Sequence, residues 1–275
     1  PTRRSSDLVV GETGEALIED VGFRTAPRAG APVRFAVLGD SGEGTEDQAT
    51  LLEQIPTVPL DFLLHVGDMA YETGTYEEFQ ANYFDYYAPI LRHFSVFAVP
   101  GNHEYDSPGA APFRRVFDLP GNERYYSFDW GDAHFVGLDT EQVGPEQIRF
   151  LKSDLAATDQ PWKIVFLHKP PFSSGSHGSE TSVREAFSPI FEEYGVDLVV
   201  AGHDHHYERV KPQGGVRYIV TGGGGAETYP VTPSDFTGFA QEVVHFLYVE
   251  IADGELVVHA IDATGQEFDQ LSISQ

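Results

Sequence analysis

Residues 196–209 read VDLVVAGHDHHYER. An apolar run of strand length stops at a glycine, and three histidines and an aspartate follow at once. A run such as VDLVVA suits a strand buried on both faces. Its end nevertheless delivers imidazoles, so that end must face something that needs them.

The pattern recurs along the chain. RFAVLG (34–39) runs into Asp40, DFLLHVG (61–67) into Asp68, SVFAVPG (95–101) into Asn102 and His103, and WKIVFL (162–167) into His168. Helical patterns separate these runs: QATLLEQI (48–55), YEEFQANYFDYYAPIL (76–91), GPEQIRFLKSDLAA (144–157) with Pro145 in its first turn, and SVREAFSPIFEEYG (182–195). RYYSFDWGDAHFVGLD (124–139) reads as a hairpin joined at WGD, and FLYVEIADGELVVHAID (246–262) as a closing hairpin that turns at Asp253–Gly254. The sum is an α/β domain with two layers of mixed sheet and helices outside them. In open α/β sheets, ligands sit beyond the carboxyl ends of the strands. A lone strand-end aspartate is usually a cap, and a lone histidine a satisfied loop residue. Five strands ending alike describe one site.

Bulk composition narrows the class. The 275 residues contain no cysteine, which removes thiolate ligands, thiol nucleophiles and disulfides. Asp and Glu number 43 against 17 Lys and Arg, a formal charge of −26. Such a chain repels nucleic-acid backbones and anionic membranes, and it shows no basic cluster beyond its start. No stretch has the length and apolarity of a membrane span, and no apolar N-terminal run resembles a signal peptide. PTRRSSD (1–7) is polar and basic, unlike the rest of the chain, and LVVGETGEALIEDVGFRTAP (8–27) carries two short strand-like pieces. Residues 1–30 are therefore expected to form an N-terminal remnant or hairpin, and 31–275 the main domain.

Carboxylates, an amide and imidazoles without sulfur suit hard to borderline cations such as iron, manganese or zinc. They also outnumber what one ion needs, and two ions about 3.5–4 Å apart would clamp phosphoryl oxygens. The ordered motifs GD (39–40), GDMAY (67–71), GNHE (101–104), VFLH (165–168) and GHDHHYER (202–209) resemble the metallophosphoesterase superfamily, specifically its purple acid phosphatase-like branch. The resemblance spans about residues 34–263. Many superfamily members carry Asp-x-His at the first motif, whereas Gly42 stands there in this chain, and Tyr71 matches the tyrosine of the purple branch. VGFRTAP (21–27) resembles the tail of the β-sandwich domain that often precedes the catalytic domain.

The resemblance implies a calcineurin-like phosphoesterase fold, a four-layer α/β/β/α sandwich with two mixed sheets. It implies that Asp40, Tyr71 and His205 bind Fe(III), that Asn102, His168 and His203 bind a divalent ion (Zn, Mn or Fe), and that Asp68 bridges the two. His103 and His177 match the substrate-facing histidines; Gly178 stands where plant members have another. The implied reaction is hydrolysis of small phosphate monoesters by metal-activated hydroxide, releasing inorganic phosphate. A phosphodiesterase on the same site, including one for cyclic nucleotides, stays open, and so does a metal-binding domain without turnover. A secreted or periplasmic location follows from the resemblance alone. Of the other polar residues, Glu104 and His206 suit either a supporting or a plain loop role, and His65 a buried structural one. TGGGGAE (221–227) lacks the Lys-Ser/Thr of a phosphate loop and reads as a turn beneath the site.

Overall fold

The computed structural model describes residues 24–275 throughout. Before them it describes only the backbone of four short strands: β1 (Arg4–Ser5), β2 (Val9–Val10), β3 (Ala16–Ile18) and β4 (Gly22–Phe23). β1 pairs antiparallel with β4, and β2 with β3. The other expectations for residues 1–23, including most of the β-sandwich tail, lie outside the described residues.

Two mixed sheets build the main domain. Six strands are ordered β17-β16-β15-β5-β6-β7: β5 (Val33–Leu38), β6 (Phe62–His65), β7 (Ser95–Ala98), β15 (His245–Ala252), β16 (Glu255–Asp262) and β17 (Glu267–Ser274). Seven are ordered β14-β12-β13-β11-β10-β9-β8: β8 (Tyr126–Trp130), β9 (Ala133–Leu138), β10 (Trp162–Leu167), β11 (Leu198–Ala201), β12 (Tyr207–Val210), β13 (Arg217–Thr221) and β14 (Thr237–Gln241). β5–β6–β7 and β9–β10–β11–β13 run parallel, while the flanking strands pair antiparallel. The helices are α1 (Glu46–Gln54), α2 (Tyr76–Glu78), α3 (Asp85–Leu91), α4 (Asn102–Asp106), α5 (Phe113–Val116), α6 (Pro145–Ala157) and α7 (Thr181–Tyr194). A π-helical segment, Phe79–Phe84, joins α2 to α3. No helix among the described residues is long and apolar enough to cross a membrane.

Strand alternation assigns each side chain its layer. In β9, β10 and β11 the residues Phe135, Ile164, Phe166, Leu198 and Val200 point between the sheets, where Phe135 meets Phe35 and Phe62 edge-on at 5.2 and 5.3 Å. Their neighbours Val136, Val165, Leu167 and Val199 face outward and pack on Leu151, Leu155, Val183 and Phe187 of α6 and α7. This is why these strands are apolar at every position. On the far side, Tyr83 and Tyr87 of the aromatic run are fully buried against the six-stranded sheet with Leu51 and Ile55. The result is the expected α/β/β/α sandwich.

One expectation needs correction. The closing hairpin does turn at Asp253–Gly254, with Ala252 opposite Glu255. It is not the end of the sheet, however, because β17 adds to β16 as a largely exposed edge strand. That strand's polar sequence hid it. The GNHE motif opens helix α4 at Asn102.

One buried-edge contact ties β8, β9 and α6 together. His134 lies 2.7 Å from Asp129 Oδ1 through Nδ1 and 2.7 Å from Asp154 Oδ2 through Nε2, so both ring nitrogens face carboxylates. Its register neighbour Lys163 turns its amine away, to Tyr194 O. Burial opposes protonation, but the Asp154 and Asp129 carboxylates outweigh it and raise the His134 pKa. A raised folded pKa means that the clamp stabilises fully below the unfolded value near 6.5 and fades as pH climbs through the folded one. His134→Gln should therefore cost about 1–2 kcal/mol below pH 6 and progressively less in alkali. Urea unfolding at pH 5.5 and 9 measures this, and an equal loss at both would show that the imidazolium is not the stabilising form.

Candidate metal centre

The parallel strands of both sheets end at one place. Asp40 follows β5, Asp68 follows β6, Asn102 follows β7, His168 follows β10 and His203 follows β11. Asp40, Asp68 and His203 adopt φ of 59°, 56° and 73°. A left-handed backbone is uncommon outside glycine, costs of order 1–3 kcal/mol, and persists only where surrounding structure imposes it. Here it swings each side chain off its strand into a shared space. The glycines before these residues serve mainly close approach. A Cβ on Gly101 would strike the Asp68 carboxylate, and one on Gly202 would strike that of Asp40.

The seven residues form a continuous series around Asp68. Asn102 Oδ1 lies 3.0 Å from His168 Nε2, which lies 3.2 Å from Asp68 Oδ2. On the other side, Asp68 Oδ2 is 3.3 Å from the Tyr71 hydroxyl, itself 3.2 Å from His205 Nε2. His205 Nε2 is 3.6 Å from Asp40 Oδ1. His203 completes the first side: Asp68, His168 and His203 each bring a donor atom, all within 4.8 Å of one another. The His203 amide donates to the Asp40 carboxylate at 2.8 and 3.0 Å.

These groups suit cations. His168 Nδ1 donates to Val66 O at 2.8 Å and His205 Nδ1 to Glu227 O at 2.8 Å, so each ring turns Nε2 inward. Asp40 and Asp68 are buried, and among the described residues no Lys or Arg pairs with either. Positive charge is drawn to the spot instead. Burial alone would depress His168 and His205, yet Asp68 pushes the first up to about 10 and Asp40 the second up to about 9. His203, buried beside His168 and His177, is pushed down to about 2. Burial raises Asp40 and would raise Asp68, but His168 holds Asp68 well below the usual carboxylate range. Burial and the nearby carboxylates push the Tyr71 phenol well up.

His103 sits at the mouth. Its amide donates to Asp68 Oδ1 at 3.0 Å, its Nδ1 donates to Glu72 O at 2.6 Å, and its Nε2 lies 4.0 Å from Asp68 Oδ2. His177 is exposed on the 169–180 loop, its ring 4.4 Å from that of His203. Gly178 holds φ 74° beside open space.

Glu104 proves to be a supporting residue. Fully buried, it accepts from the amides of Asp68, Met69, Ala70 and Gly101 at 2.7–3.2 Å and so holds two of the strand-end turns together. Burial and the Asp68 charge push its carboxyl up to about 7. His206 is buried away from the centre, 3.4 Å from Glu208. His65 is structural, as expected, with Nε2 2.9 Å from Ser41 Oγ. The 221–227 turn does run beneath the site: the Ala226 amide donates to Asp40 O and that of Gly224 to Gly39 O, both at 2.9 Å. Asp204 and Tyr229 received no role from the sequence. The alternation in HDHH was the available signal, because if residues 203 and 205 face the centre, 204 must face away.

The profile of the family described as calcineurin-like phosphoesterase matches residues 33–207, and the chain belongs to that family. Within it the chain falls in the purple acid phosphatase-like branch. It is 28% identical over 267 residues to purple acid phosphatase 22 of Arabidopsis thaliana, covering 85% of this chain and 60% of that protein. It is also 28% identical over 240 residues to probable inactive purple acid phosphatase 27 of the same plant, covering 69% and 38%. The purple acid phosphatase PPD1 from yellow lupin (Lupinus luteus) seeds superposes with a TM-score of 0.84 at 23% identity, covering 96% of this chain and 58% of the lupin chain. The chain thus spans about half the length of these relatives.

Proposed function

We propose that the chain hydrolyses phosphate monoesters at a dinuclear centre. One ion, Fe(III), would be held by Asp40, Tyr71 and His205, and a second, divalent ion by Asn102, His168 and His203, with Asp68 shared between them. The observation that carries this reading is the position of Asp68 Oδ2, 3.2 Å from His168 Nε2 on one side and 3.3 Å from the Tyr71 hydroxyl on the other. A phenol oxygen among the donors, with no thiolate in the chain, favours iron(III) for the Tyr71 side. Bound there, such a pair supplies charge neutralisation for phosphoryl oxygens and acidification of water.

The protein's own groups do the rest. Its hydrogen bond to Glu72 O turns His103 Nε2 toward the centre, where it can bind a phosphoryl oxygen. His177 borders the other side and can bind a second oxygen or give a proton to the departing alcohol. Ser41, next to Asp40, is no nucleophile: it is buried, its Oγ 2.9 Å from His65 Nε2 and 2.8 Å from the Tyr87 hydroxyl. Water is then the attacking group, and no phosphoenzyme forms.

Full occupancy should be close to two metal ions per chain, at least one of them iron. Purified chain should release phosphate from an aryl monoester faster than it cleaves an aryl diester. The reverse preference would make it a phosphodiesterase on the same donors. Two bound ions with neither activity would make it a metal-binding domain without turnover.

A further inference from the structure

The GHDHHYER segment has two working faces. The Asp204 amide bonds to Gly202 O across His203, and the His206 amide to Asp204 O across His205, at 2.9 and 2.8 Å. These are successive three-residue turns, and the φ of 73° at His203 is that of the rarer, strained kind. Such a ribbon sends His203 and His205 to the centre and Asp204 to the opposite side. Beyond β12's first residue, Glu208 faces the same way as Asp204.

What Asp204 meets there is the loop that carries His177. The carboxylate is fully buried. Its Oδ1 accepts from the His177 amide at 2.9 Å and from the Tyr229 hydroxyl at 3.3 Å, and its Oδ2 accepts from Ser173 Oγ. Ser173 Oγ in turn accepts from the Gly175 amide at 3.0 Å. Gly175 passes so close that a Cβ would overlap the carboxylate and lie 2.6 Å from His206 Cε1. Glu208 secures the next residue, accepting from the Ser174 amide and hydroxyl at 2.7 and 2.8 Å. The exposed His177 ring is stationed 4.4 Å from the ring of His203 and edge-on to that of Tyr229 at 6.0 Å.

We infer that Asp204 is a positioning residue for substrate binding: it ties the 173–177 loop to the metal-ligand segment and so stations His177 over the phosphoryl site. The same short segment then sets both the metals and the outer histidine, and neither can drift without the other. An amide donating to a carboxylate is among the stronger hydrogen bonds, and a buried one is not replaced by water. This inference rests on the proposed function only for what His177 does, not for what holds it.

Amide hydrogen exchange on the full chain tests the tether directly. Asp204→Ala, which leaves the His177 amide and Ser173 Oγ without their acceptor, should speed exchange of the 177 amide and its loop while metal content stays at the parental level. Unchanged exchange overturns the inference whether or not the chain hydrolyses anything. Activity supplies the second arm. With an aryl monoester, Asp204→Ala should lower kcat/KM roughly tenfold or more, the scale of lost outer-shell partners, and should have little effect in a His177→Ala background. An equal loss with and without His177 also overturns it, since Asp204 would then act through His203 and His205. Gly175→Ala, remote from the proposed ligands in sequence, should reproduce both effects, and its silence would count against the tether. A metal-loaded parent without esterase activity would defeat the proposed function instead, and the exchange arm would still decide this one.

Discussion

Asp68→Asn is expected to abolish most activity, lowering kcat/KM by roughly two to three orders of magnitude and releasing at least one ion. Removing one partner from a buried charge array typically costs about 3–5 kcal/mol. Asp68 is 2% exposed and meets His168, Tyr71 and the His103 amide at once. An asparagine can keep an oxygen for the His103 amide. Its NH₂ then points at His168 Nε2 and the Tyr71 hydroxyl, so a donor replaces the shared acceptor and a unit of charge is lost. Asn102→Ala removes a neutral donor from one side only and should cost less. Elemental analysis beside steady-state kinetics checks both variants. Parental metal content and turnover in Asp68→Asn would show that Asp68 does not join two ions.

Tyr71→Phe should erase the visible colour of the iron-loaded, oxidised protein. A phenolate bound to Fe(III) passes electron density from ring to metal under visible light, and under the proposed assignment Tyr71 would supply that phenolate. Its hydroxyl lies 3.3 Å from Asp68 and 3.2 Å from His205, and its ring packs 4.1 Å from that of His103. Phenylalanine keeps the ring and that packing while removing the oxygen. Some hydrolysis should therefore survive a complete loss of the band. The absorption spectrum must be taken with measured iron content, because a site without iron(III) is colourless in the parent too. An iron-loaded variant that keeps the parental band would refute the assignment of Tyr71.

Much of this protein was legible along the chain because the governing physics is local. Parallel strands buried on both faces must be apolar throughout, so RFAVLG, DFLLHVG, WKIVFL and VDLVVAG announced themselves, and the polar residues after them marked the common edge. β17 did not, since an edge strand with one solvated side carries the composition of a loop. Glu104, Asp204 and Glu208 needed the tertiary structure. A carboxylate acts as a bracket only when backbone amides from distant turns converge on it, and nothing in its sequence neighbourhood records which amides will arrive. The sequence by itself determined the donor types and the strand ends that carry them. The packing of two sheets decided that those ends meet, that Asp68 falls in the middle, and that one segment faces the centre with its histidines and the His177 loop with its acids. The reason is that burial leaves each carboxylate and amide no water to turn to, so their partners are chosen by what the fold brings within reach.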